Sequence, residues 1–89
     1  MTHRSDLVKR IVDERDRQFN LPGREFDLHN RPNDWIALIC KYASRDSGSL
    51  HTAPLRSDFE DDLIKAGAIV LAALEHIDVM LARDLLAES

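Results

Sequence analysis

The 89-residue chain carries a single cysteine, Cys40, so an intramolecular disulfide is excluded. No paired Cys/His spacing suggests zinc, and Cys40 reads as a small buried hydrophobe. With only three glycines, Gly23-Arg24-Glu25 lacks the repeated glycines and the Lys-Ser/Thr of a phosphate loop. The longest uncharged apolar run, Ala66 to Leu74, is far below the roughly 20 residues of a membrane span. The N-terminal stretch is charged throughout and has no signal-peptide core. A soluble, cytoplasmic protein is the expectation. There is no strand-like alternation, repeat or low-complexity tract. The net charge of -4 argues against a general nucleic-acid coat. Arg4, Lys9, Arg10, Arg15 and Arg17, although clustered, read as a solvated face of mixed sign.

What the chain does contain is Asp58 to Leu74, DFEDDLIKAGAIVLAAL, in which a cluster of acids runs into nine residues without a polar side chain. A helix that is apolar all round is buried all round. A chain of this size forms one domain, residues 1–89, and buries only about 60–65% of its unfolded surface. Without disulfides or zinc, oligomerisation is the remaining source of added stability. The expected architecture is therefore all-α: three helices whose copies assemble into a bundle, as a homodimer or a tetramer.

The first helix is expected over Asp6 to Phe19, capped by Ser5. Leu7, Val8, Ile11, Val12 and Phe19 share its apolar arc, and Arg15 and Gln18 fall inside that arc, where they need partners. Leu21 to Pro32 reads as a loop, with a turn at Pro22-Gly23. The second helix is expected over Asn33 to Asp46, capped by Asn33 or Asp34 and ended by Ser47-Gly48-Ser49. The third is expected over Ser57 to Leu86, with Ser57 and Glu60 at capping-box spacing. Its seam is Leu63, Gly67, Val70, Leu74, Ile77 and Leu81.

Four constellations have the residue types that chemistry needs. Asp58, Glu60, Asp61 and Asp62 either favour the positive helix end or offer oxygens to magnesium, with Asp58 and Asp62 on one face. Lys41, Arg45 and Lys65 either bridge helices, as Lys41 to Asp62, or clamp a phosphate. Asp27 and His29, with Arg15 and Gln18, either tether the loop or supply a base or ligand. Trp35 and Tyr42, seven apart on one face, either pack the core or stack a base.

The residues Glu14-Arg15 with Arg17-Gln18, Asp27-x-His29 followed by Asp34-Trp35-Ile36-Ala37-Leu38, and Asp62-Leu63-Ile64-Lys65-Ala66-Gly67-Ala68 ending in Leu74-Glu75 and Asp78 resemble the MazG-like all-α nucleoside triphosphate pyrophosphohydrolases. The likeness is to small phage- and mobile-element-associated members. It implies a helical fold, a nucleotide ligand and magnesium held by five carboxylates on two helices. By that resemblance the carboxylate positions fall on Lys41, Tyr42, Arg45, Asp62 and Lys65, so only Asp62 remains acidic. One aspartate facing cations has the wrong Coulomb sign for two divalent ions. Metal-dependent hydrolysis is then lost, or the metal has moved to Asp58 and Asp61 beside Asp62. The resemblance and the residues together suggest Arg15, Gln18, His29, Trp35, Lys41, Arg45 and Lys65 as nucleotide or phosphate contacts. The alternative is a non-catalytic oligomeric interaction module.

Overall fold

A computed structural model of the chain describes residues 3–48 and 52–88; Ser49, placed in the turn after the second helix, lies outside them. Among the described residues all regular structure is helical: α1 (Arg4–Phe19), a 3₁₀ turn (Arg24–His29), α2 (Pro32–Ala43), α3 (Arg56–Glu75) and α4 (Ile77–Ala82).

Helix α3 lies in the middle, packed against α1 on one flank and α2 on the other, while α1 and α2 scarcely touch. Arg10 reaches Glu60 and Asp61 near the start of α3, and Arg15 reaches Glu75 at its end. Those pairings fix α1 and α3 as parallel. Trp35 stacks on His76 with ring centroids 5.3 Å apart, whereas Arg45 meets Asp62. Helix α2 therefore runs opposite to both. Small residues permit the close approach: Ala66, Ala68 and Ala72 are buried, and a β-carbon on Gly67 would lie 3.3 Å from Ile11 Cδ1. The apolar core joins Trp35, Ile69, Ala72 and Met80, with Leu38, Ile39, Tyr42, Leu85 and Leu86 around it.

Several helix ends differ from the sequence expectation. Helix α1 begins at Arg4 with His3 as its N-cap, so Ser5 is not the cap. Helix α2 starts at Pro32, whose missing N–H costs nothing in a first turn. Asp34 caps from inside that turn, accepting a 2.9 Å bond from the Arg31 N–H. Helix α3 starts at Arg56 with Leu55 before it, so Ser57 lies inside the first turn rather than capping it, and Glu60 is engaged by Arg56 at 2.7 Å and Arg10 at 3.5 Å. The expected 21–32 loop contains the 3₁₀ turn, entered through Gly23 at φ 94°, a left-handed conformation that glycine adopts without steric cost. Arg83 donates to the Leu28 carbonyl at 2.9 Å, tying this turn to the end of α4.

The third helix does not run on to Leu86. It stops at His76, whose Nδ1 lies 2.6 Å from the Ala72 carbonyl oxygen, and α4 follows as a separate segment. No glycine or proline marks this break, so periodicity alone carries through it. Helix α4 ends in a Schellman motif, with the Leu85 N–H bonded to Met80 O at 2.9 Å and the Asp84 N–H to Leu81 O at 3.0 Å. Asp84 holds the left-handed position at φ 57°.

The seam is placed differently from the expectation. The side of α3 that fills the protomer core carries Asp62, Ala66, Ile69 and Ala72. Leu63, Val70, Leu74 and Ile77 are exposed. Cys40, expected inside, is exposed on α2.

A left-handed aspartate costs roughly 1 kcal/mol relative to glycine, and its charge opposes the negative end of α4. Asp84→Gly is expected to stabilise the fold by about 0.5–1 kcal/mol in urea unfolding. A loss of stability would contradict the cap assignment.

Candidate functional site

Because α1 and α2 flank α3 without closing on each other, a cleft runs between them. Its inner part is a cavity of about 310 Å³ bounded by Arg15, Gln18, Asp27, Trp35, Tyr42 and Ala72. Its outer part, about 290 Å³, is bounded by Arg17, Arg45 and Lys65. Gln18, Leu21, Leu38, Tyr42 and Ile69 belong to both, so the two parts are continuous. The inner end sets Trp35 and Tyr42 beside Arg15, Gln18 and Asp27, and the mouth carries the cations Arg17, Arg45 and Lys65. Trp35 is 3% exposed, and its indole Nε1 has no hydrogen-bond partner.

The α1 wall is ordered by Glu14. This side chain is 12% exposed and accepts two 2.7 Å bonds from Arg17 and one of 2.9 Å from Gln18. The Arg17 hydrogen bond holds its carboxyl below the usual range, against the opposing effect of burial, with Lys65 adding attraction. Arg15 and Gln18 thus have the partners that their place on an apolar arc demanded. Arg15, 6% exposed, bonds both Glu75 oxygens at 3.2 and 3.4 Å and lies 5.5 Å from the Phe19 ring centroid. Glu14 was missed as a site residue in the sequence, although its spacing to Arg17 and Gln18, three and four residues on, is the signal for such a network.

On the opposite wall, Asp62 is 1% exposed. Arg45 Nη2 lies 3.1 Å from its Oδ1 as an ion pair, and the Asp46 N–H donates to Oδ2 at 3.1 Å. Lys41 was expected to make this bridge but faces elsewhere. It is exposed, 5.7 Å from the Tyr42 ring centroid, and borders a shallow depression with Asn30 and Asp34. A lysine four residues earlier lies a full turn farther from Asp62, because α2 runs antiparallel to α3.

The remaining site expectations divide as follows. Arg15, Gln18, Trp35, Arg45 and Lys65 come together around the cleft. His29 lies exposed at the end of the 3₁₀ turn and is not among the residues bordering the cleft. Asp27 reaches the cleft, but what ties its turn down is Arg83. The three proposed metal ligands diverge: Asp62 points inward to Arg45, Asp61 outward with Arg10 3.8 Å away, and Asp58 is exposed. Among the described residues no three His, Cys, Asp or Glu side chains are placed to hold a metal ion. Magnesium at Asp62 would have to displace a paired guanidinium, so the side chains as arranged do not fit that ion.

Compared with protein-family models, with curated proteins and with solved structures, the chain finds no match.

Asp46 sits beside the Asp62 carboxylate, and a hydrogen bond shared with it raises the Asp46 pKa above the ordinary value. The folded state therefore holds this proton more tightly than the unfolded chain. The stabilisation is fully present below the unfolded pKa and is lost as pH rises through the raised one. Asp46→Asn keeps the backbone donor to Asp62 but removes the repulsion. It is expected to raise Tm at pH 7, with the gain shrinking to nothing as pH falls below the aspartate range. An unchanged Tm difference across that range would contradict the assignment. Arg45→Met leaves a buried carboxylate short of its cation. With Arg45 itself half exposed, a loss of about 1–3 kcal/mol is expected at neutral pH in denaturant unfolding. A neutral result would show that the ion pair is not formed.

Proposed function

We propose that this protein handles a nucleotide, or another phosphate-bearing ligand, in the cleft between α1 and α2, with metal-dependent pyrophosphate hydrolysis weakened or lost. The observation that carries this reading is one continuous cleft with aromatic side chains at its inner end and cations at its mouth. Trp35 and Tyr42 stand at the inner end, where they suit a base, with Arg15, Gln18 and Asp27 beside them. Arg17, Arg45 and Lys65 stand at a mouth that suits phosphate oxygens. The joined space falls within the size of small-ligand pockets, about 300–1,000 Å³.

The MazG-like resemblance gives the same ligand class and accounts for the changed metal positions. Where the family's carboxylates would hold magnesium, Arg45 and Lys65 supply positive charge to the phosphates directly. Arg17 is tied to Glu14 and Arg45 to Asp62, which leaves Lys65 as the cation with most freedom to meet a ligand. A second reading, a non-catalytic interaction module, draws its support from the exposed apolar side of α3, and the two readings concern different surfaces.

Thermal shift with nucleoside mono-, di- and triphosphates, each with and without magnesium, tests the proposal alongside a pyrophosphate-release assay. The expected result is a Tm increase that does not need magnesium, with affinity reduced at least about tenfold, or 1.4 kcal/mol, by Lys65→Ala. No shift with any nucleotide and no pyrophosphate release would remove the nucleotide reading.

A further inference from the structure

The cations at the mouth of the cleft each have a carboxylate close behind them. Arg17 is held by both oxygens of Glu14 at 2.7 Å. Arg45 has its Nη2 3.1 Å from Asp62 and its Nε 3.7 Å from Asp46. Lys65 forms no salt bridge among the described residues, yet it lies near enough to Glu14 to help hold that carboxyl below its usual range. Arg17, Arg45 and Lys65 therefore stand against Glu14, Asp62 and Asp46. The mouth offers directed N–H donors with little net positive charge.

The depth of these carboxylates matters as much as their number. The Glu14 side chain is 12% exposed and that of Asp62 is 1% exposed. Water screens charges at such depth poorly, so an anion seated at the mouth meets their repulsion along with the attraction of the cations.

Charge then decides how many phosphates the site takes. A phosphate monoester carries about −1.5 to −2 at neutral pH, and each further phosphate in a chain adds more negative charge. Arg17 binds Glu14 through Nε and Nη2, which leaves its Nη1 donors for a ligand. The Lys65 ammonium and the Nη1 donors of Arg45 stand beside them. One phosphate group suits that set. A second and a third bring charge that these donors do not offset, and the buried carboxylate that could recruit magnesium is committed to Arg45. We propose that the cleft selects a nucleoside monophosphate over the corresponding di- and triphosphate, with Glu14 and Asp46 setting that limit from opposite walls. The proposal rests on the nucleotide reading and adds to it the phosphorylation state of the ligand.

Titration calorimetry of the full chain tests it with the mono-, di- and triphosphates of adenosine, guanosine, cytidine and uridine, all without magnesium. In each series that binds, affinity is expected to fall with every added phosphate, by about tenfold in all. Affinity that holds level or rises along the series overturns the proposal and leaves the nucleotide reading standing. Binding of none of these nucleotides removes both. Glu14→Gln and Asp46→Asn each take one negative charge from the mouth, and each is expected to narrow the fall to about threefold or less. Asp46→Asn keeps the backbone donor to Asp62, so it decides the question if Glu14→Gln does not fold. An unchanged fall in affinity in a folded Asp46→Asn protein contradicts the charge limit.

Discussion

Everything in this protein is arranged around a helix that has more apolar surface than the helices packed on it cover. Ala66 to Leu74 contains no polar side chain, and among the described residues α1 and α2 are the long helices available to shield it. They do so from two flanks, drawn close by Ala66, Gly67, Ala68 and Ala72. Because each flanking helix is spent on one side of α3, neither closes against the other. That one shortage leaves two open features: a cleft where α1 and α2 stand apart, and an apolar stripe on the far side.

The cleft is polar where α3 becomes polar. Lys65 and Asp62 interrupt the apolar surface just before the uninterrupted run, and each recruits complements from a neighbouring helix. Asp62 forms an ion pair with Arg45 and accepts a hydrogen bond from the Asp46 N–H, which fixes the end of α2 against the start of α3. Lys65 lies near Glu14, itself held by Arg17 and Gln18. Charged residues in such a small core are costly unless paired, and removing one partner leaves an uncompensated charge. The same pairings therefore stabilise the fold and set the cationic mouth of the candidate ligand site.

The all-helical class and the positions of the three long segments were legible because their apolar residues recur at helical spacing and because Pro-Gly and Ser-Gly turns separate them. The need of Arg15 and Gln18 for partners was legible from their place on an apolar arc. The identities of those partners were not, since Glu75 lies sixty positions away and depends on α1 running parallel to α3. The break at His76 escaped the sequence because a histidine turning back to the Ala72 carbonyl is no standard stop signal. The same gap between local pattern and global path misplaced the Asp62 bridge on Lys41: both Lys41 and Arg45 share a helix edge, and only the direction of α2 selects Arg45. Heptad-like spacing suggested Leu63, Val70 and Leu74 as a seam, yet these three are exposed and the protomer fills its own core with the adjoining Asp62, Ala66 and Ile69.

Hydrogen–deuterium exchange tests the central claim most directly. If both flanking helices depend on α3, the amides of Ala66 to Leu74 exchange most slowly of all. Protection in this segment no greater than in α1 would contradict the account.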